Sequence, residues 1–265
     1  MKTVTSKDGT TIAFDQSGAG PALILVGGAL EYRAWESETP QIAAFPLLTQ
    51  HFTVIHYDRR GRGDSADTLP YAVEREIEDI EALIGAAGGS AFVFGISSGA
   101  ALAMEAAIKL GGKVKKLAMY EAPYNSDATA RQAWVNYRKQ LKELLAADRR
   151  GDAVALFMML LGMSPDHVPE MRQHPMWPMW EAAALTLTYD AAVMGEDASV
   201  PSEKAASAAV PALVMDGGAS YPFMHVTALA LAKAMPHAQH RTLEGQTHEV
   251  APQVLAPVLV EFFKS

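Results

Sequence analysis

The chain has 265 residues, of which 49% are hydrophobic and 20% charged, with a formal net charge of −8 and no cysteine. That length carries a sizeable core, and the composition is that of an ordinary globular protein. Scattered negative charge argues against nucleic acid or an anionic membrane surface as partner, and the lack of cysteine excludes disulfides, thiol catalysis and cysteine metal sites.

The N-terminal MKTVTSKDGT has no apolar region of the kind a secretory signal needs. No apolar run approaches the roughly 20 residues of a membrane span, so a cytoplasmic protein is expected. Residues 3–15 alternate in short segments around Asp8-Gly9, a hairpin signal. Continuous apolar runs then predict buried strands at PALILV (21–26), FTVIHYD (52–58), AFVFG (91–95), KKLAMYE (115–121) and PALVMDGG (211–218). AQHRTLEG (238–245) predicts a sixth. Helical patterns cover about 71–87, 98–110, 225–235 and 252–263. This alternation predicts an α/β fold with a mostly parallel, doubly wound sheet.

From Pro123 to Val210 the rhythm breaks, with no strand candidate. Three helical stretches are predicted instead, in ATARQAWVNYRKQLKELLAAD, DAVALFMMLLGM and MWEAAALTLTYDAAVM, with Asp127 or Asp152 as an N-cap. The stretch is rich in Met and Trp, including Met159 and Trp177. Helix packing is the plain use of such residues, and an apolar lid over a pocket is the functional one.

Gly95-Ile96-Ser97-Ser98-Gly99 fits G-x-S-x-G between an apolar strand and an Ala-rich helix. A serine on so sharp a turn needs small residues two places to either side. Centred on Ser97 those places hold Gly95 and Gly99, whereas centred on Ser98 they hold Ile96 and Ala100. Ser97 is therefore the candidate nucleophile. The N–H of Ser98 is a candidate oxyanion donor at the helix N-terminus. Near the C-terminus, in LEGQTHEVAP, His248 follows the last strand and a polar loop, which is where a base for such a serine belongs. His51, His56, His167, His174, His225, His237 and His240 lack that placement and are expected at the surface or at caps.

These residues together resemble the α/β-hydrolase superfamily over nearly the whole chain. HYDRRGRGDS (56–65) is similar to the Asp-x-Arg-Gly-x-Gly-x-Ser loop of its esterases, lactonases, epoxide hydrolases and haloperoxidase-like members. It reads as scaffold, with Asp58 and Arg59 in local ion pairs. LVGGAL (25–30) stands where the superfamily usually has His-Gly-x. The resemblance then makes the N–H of Ala29 the second oxyanion donor and Gly28 a candidate substrate contact, beside Trp177 and Met159. It also implies a core of 1–122 and 211–265. Residues 123–210 become a helical cap inserted between the strand ending near Glu121 and the strand starting near Pro211.

The acid departs from the pattern. Aligning Gly217 with the late-strand glycine puts Ser220 at the usual acid position. Two carboxylates remain. Glu121 ends the strand after the elbow helix, where certain haloalkane dehalogenases keep their acid, and is favoured because it lies beside the elbow and reaches one methylene further. Asp216 is the alternative, although a strand-end Asp also has an ordinary use in binding turn amides.

A serine nucleophile selects acyl transfer. Epoxide hydrolases and dehalogenases on this scaffold use Asp, and Ser98 stands where proline-iminopeptidase-like relatives usually carry Trp. The expected activity is hydrolysis of a carboxylic ester or lactone with an apolar group. A C–C bond hydrolase, an acyltransferase or perhydrolase-like enzyme, and a non-catalytic small-ligand binder are the alternatives. No cofactor and no metal are expected, and the chain is expected to act as a monomer or homodimer on a small apolar molecule.

Overall fold

The computed structural model describes residues 1–33 and 44–265. Among these, eight strands form one sheet: β1 Lys2–Thr5, β2 Thr11–Ser17, β3 Ala22–Val26, β4 Thr53–Tyr57, β5 Ala91–Ile96, β6 Val114–Tyr120, β7 Ala212–Gly217 and β8 Ala238–Leu243. Their order is β1-β2-β4-β3-β5-β6-β7-β8. The β1–β2 and β2–β4 pairs are antiparallel, and all the others are parallel. Every predicted strand is present. The Asp8-Gly9 turn joins β1 to β2, and the Asp8 carboxylate accepts the Thr10 N–H at 3.0 Å.

The continuous apolar runs are explained by burial on two sides. All five residues of β3 are buried. Alternate side chains enter opposite layers, as a pleated strand requires. Ile24, Val26, Val93, Met119 and Val214 pack on one face. The helices there are α1 (Val73–Ala86), α2 (Ser98–Leu110) and, further along the chain, Pro222–Ala234. Leu23, Leu25, Phe94 and Leu213 pack on the other face, against the C-terminal helix Pro252–Lys264.

Between β6 and β7 the chain is helical: α3 Ala128–Ala146, α4 Arg150–Leu160, α5 Trp177–Ala183 and α6 Leu187–Val193, with single turns between. The two helices of the core that follow are therefore α7 (Pro222–Ala234) and α8 (Pro252–Lys264). Asp127 caps α3, accepting the N–H groups of Thr129 and Ala130 at 2.9 and 3.1 Å. Asp152 does not cap α4. It lies inside the first turn and pairs with Arg149 and Arg172. The long helix predicted over 179–194 is also broken. Thr186 Oγ1 donates back to the Ala183 carbonyl at 2.7 Å, and Ala184–Thr186 tightens into a 3₁₀ turn between α5 and α6. No helix among the described residues is long and apolar enough to cross a membrane.

Candidate active site

Strand ends build the site. β3, β5, β6 and β7 run parallel, so their C-terminal loops open on one edge of the sheet. Ser97 follows β5 and begins α2 with φ 56° and ψ −133°. Gly99 packs onto the carbonyls of Val26 and Gly27, and Gly95 packs onto the backbone of Gly99 and Ala100, so a Cβ at either glycine would overlap main chain. This contact forces small residues on both sides of Ser97. Among the described residues five non-glycines have positive φ, and three of them are Leu30, Ser97 and Glu121. Strained backbone is thus concentrated around the elbow, where such strain is characteristic of function.

Glu121 follows β6. Its N–H donates to the Met215 carbonyl, and the Ser97 N–H donates to the Tyr120 carbonyl, both at 3.0 Å. The Glu121 side chain is buried and all its acceptors are engaged. Oε1 accepts the Gly217 N–H at 2.8 Å, and Oε2 accepts the Ser220 hydroxyl at 2.9 Å. Oε2 also lies 2.7 Å from His248 Nδ1. Nδ1 being taken, Nε2 is the ring nitrogen left for a serine. No hydrogen bond joins His248 to Ser97 Oγ among the described residues, a looseness common in such pairs before substrate is bound.

Asp216 does not meet His248. Its carboxylate turns to His225 and His240 instead. Both strand-end carboxylates are therefore placed, and they serve different histidines. His225 is exposed, as expected of a surface residue, and His240 is half-buried. The expectation fails for His56, which is buried inside β4, where burial and the nearby Arg33 push its imidazole down to about 4.

Gly28 touches the elbow: a Cβ there would come 3.1 Å from the Ser97 Cβ. Its N–H donates to Glu31 Oε2 at 2.6 Å, which leaves Ala29, half-buried beside it, as the next amide in the loop. Trp177 is buried in a cluster with Trp180, Leu187 and Leu30. Met158 packs on that cluster; Met159 is half-buried and stands outside it.

Two supports had no signal in the sequence. The Tyr120 hydroxyl donates to the Thr247 carbonyl, one residue before His248. Burial pushes that phenol far up, with Glu121 and Asp216 adding to the shift, so it stays a neutral donor. The second support reaches across from α6. Asp190 is buried, accepts the Ser98 hydroxyl at 2.8 Å and pairs with Arg59 and Arg62 at 2.7 Å each. Burial alone would raise its carboxyl, but Arg62, Arg59 and Ser98 outweigh burial and hold it below the ordinary range. Asp58 and Arg59 of the DRRGRGDS loop do form ion pairs, yet these are not local. Arg33 holds Asp58, while Arg59 spans Glu76 and Asp190.

Residues 22–260 match the model of the "Alpha/beta hydrolase family". An alpha/beta hydrolase from Sphaerobacter thermophilus DSM 20745 is 54% identical, with a TM-score of 0.86 over 99% of this chain and 100% of that one. A thermophilic esterase from Thermogutta terrifontis is 20% identical, with a TM-score of 0.73 over 99% and 97%. The enol-lactonase from Burkholderia xenovorans LB400 is 20% identical, with a TM-score of 0.69 over the whole of both chains. A family match across most of the chain agrees with the sheet order, the elbow and the loops at the strand ends: the chain belongs to the alpha/beta hydrolase family.

Proposed function

We propose that this protein is a serine hydrolase that cleaves a carboxylic ester or lactone bearing an apolar group. One observation carries the reading: the 2.7 Å contact between His248 Nδ1 and Glu121 Oε2, at the same sheet edge as a serine on a strained turn.

In the proposed reaction Ser97 Oγ attacks the substrate carbonyl while His248 Nε2 takes its proton. Glu121 keeps the Nδ1 proton in place, which sets the tautomer and stabilises the imidazolium that forms. The N–H groups of Ala29 and Ser98 donate to the carbonyl oxygen as negative charge develops on it. His248 then protonates the leaving oxygen, and the C–O bond breaks to leave Ser97 acylated. Water, deprotonated by the same imidazole, attacks the acyl-enzyme and frees Ser97. The helical segment 123–210 acts as an apolar cap, with Trp177 and Leu30 closing one wall near the Ala29 amide. Gly28 leaves room for the acyl group beside Ser97. An esterase and an enol-lactonase share the scaffold, which is in keeping with this chemistry.

A fluorophosphonate probe tests the reading first, because it needs an activated serine and an oxyanion hole but not the natural substrate. One adduct, mapped to Ser97 and lost in His248→Ala, is expected. A folded protein that takes no label would instead make it a ligand binder. A panel of esters, lactones and vinylogous diketones then separates acyl–oxygen from carbon–carbon cleavage, and turnover of the diketones alone would refute the ester reading.

A further inference from the structure

Six carboxylates are buried among the described residues: Asp58, Glu76, Asp79, Glu121, Asp190 and Asp216. Asp58, Glu76, Asp79 and Asp190 each pair with arginine. Glu121 and Asp216 face histidine instead. Glu121 is accounted for by His248. Asp216 has two imidazoles and no part in the proposed reaction.

The Asp216 side chain is wholly buried. Its Oδ1 lies 2.6 Å from His240 Nε2, and its Oδ2 lies 2.9 Å from His225 Nδ1. The Thr242 hydroxyl stands beyond normal bonding distance, at 3.3 and 3.4 Å from the two oxygens. Three elements supply the group: the end of β7, the first turn of α7 and the edge strand β8. Asp216 pairs with Thr242 across the sheet and Val214 with His240, so Asp216 and His240 share one face. One ligand atom from each residue lies within 4.8 Å of the other two. The rings of His225 and His240 meet edge to face, with centroids 5.5 Å apart.

A wholly buried carboxylate needs a partner for its charge, and a divalent metal held between it and the two imidazoles supplies one. Two imidazole nitrogens and one carboxylate oxygen suit zinc-class ions, which bind them at about 2.0–2.2 Å. Ligand atoms around a tetrahedral ion stand about 3.3 Å apart, so each ring retreats from its nearest carboxylate oxygen by less than about 1 Å, and no pair of the three ligand atoms starts more than 4.8 Å apart. The His225 side chain is 49% exposed, which provides access for the ion and leaves a fourth position to water. The linear spacing of these residues follows no zinc motif, which is why the sequence hid the cluster.

We propose that Asp216, His225 and His240 form a binding site for a zinc-class divalent metal ion with one open coordination position. Bound there, the ion ties the edge strand β8 and the start of α7 to β7. The next residue on β7, Gly217, gives its N–H to Glu121. The metal thus braces the end of β7, whose Gly217 N–H holds the proposed triad acid at the neighbouring end of β6, without entering the reaction.

The test is zinc titration of the chelator-treated full-length protein by calorimetry, with Co²⁺ absorption as a geometric readout. One equivalent of zinc is expected at micromolar or tighter affinity, together with Co²⁺ bands of a four-coordinate site. Zinc at about a hundredfold excess over Kd should raise Tm by roughly 5 °C. His225→Ala, a half-exposed position that the fold tolerates, should weaken zinc about tenfold or more and abolish the Tm shift. His240→Ala should do the same, while His167→Ala with His174→Ala, on the helical insertion, should not. No zinc uptake by the wild type, or uptake unchanged in both His225→Ala and His240→Ala, would overturn the proposal and leave two histidines that only satisfy the Asp216 oxygens.

Discussion

Ser220 donates its hydroxyl to Glu121 Oε2 at 2.9 Å, on the oxygen that also meets His248. The residue aligned with the superfamily's usual acid position thus supports the Glu121 carboxylate at the end of β6. If Glu121 is the triad acid, Glu121→Gln keeps the shape but presents the wrong hydrogen-bonding group to Nδ1. Turnover of a chromogenic ester should fall about 10³–10⁴-fold, with KM changed little. A loss of that size in Asp216→Asn, with Glu121→Gln unaffected, would reassign the acid.

The same geometry predicts that the acid can be moved back. Ser220 Oγ and His248 Nδ1 flank one oxygen, so a carboxylate grown from position 220 is within reach of the ring. Glu121→Ala combined with Ser220→Asp should recover about tenfold or more of the activity that Glu121→Ala loses. Steady-state kcat for the single and double variants decides it, and an inactive, folded double variant would show that position 220 does not reach.

Asp190 lies between two buried guanidinium groups. Asp190→Ala leaves buried Arg62 without a carboxylate partner and Arg59 with Glu76 alone, and should destabilise the protein by about 3–5 kcal/mol, read from the urea midpoint at constant slope. Ser98→Ala removes one hydrogen bond to it and should cost about 1 kcal/mol. Because the folded carboxyl is held below its unfolded range, this contribution is complete at neutral pH and fades as acid protonates the group. Equal melts for Asp190→Ala and wild type would show that the cluster does not hold the insertion.

His56 has the opposite residue type and the same sign. Its folded value of about 4 lies below the ordinary 6.5, so the unfolded chain binds the extra proton. Stability from this group is full above pH 6.5 and is lost as pH falls toward 4. The loss between pH 7 and pH 5 should be about 2 kcal/mol. His56→Leu should remove that slope. Urea melts at the two pH values measure it, and an unchanged slope would mean that His56 does not titrate as its burial requires.

Gly28→Ala would set a methyl 3.1 Å from the Ser97 Cβ. Ser97 must then give by a few tenths of an ångström. Fluorophosphonate labelling and kcat/KM should fall about tenfold or more, while Tm stays close to wild type. Labelling at the wild-type rate would remove Gly28 from the substrate's path.

The strands and the strained turn at Ser97 were legible because each rests on local pattern. β3 and β5 are continuous apolar runs, since both faces of the sheet are covered. Gly95 and Gly99 single out Ser97, since only glycine allows strand and helix to close so tightly. His248 was readable from its place after the last strand. Glu121 needed a geometric argument about reach, and the contact with His248 favours it over Asp216. The Asp190 cluster was not legible: Arg59 and Asp190 are separated by 131 positions in the chain. The same holds for Asp216, His225 and His240, which the pairing of β7 with β8 and the start of α7 bring together. Within the insertion, periodicity marked the helices but could not say which side each methionine turns inward, so Met158 joins the apolar cluster and Met159 does not.

The Asp190 clamp also decides what recombination can exchange. A foreign insertion spliced at residues 123 and 210 would replace Asp190, strand Arg62 in the interior of the recipient and leave Arg59 to Glu76 alone. Thr186 accepts from Arg62 Nε at 3.1 Å and belongs with them. A crossover placed before Thr186 keeps Asp190, Thr186 and Ser98 in one parent. The transferable cassette is therefore about 128–185, and α6 is inherited with the elbow it stands behind.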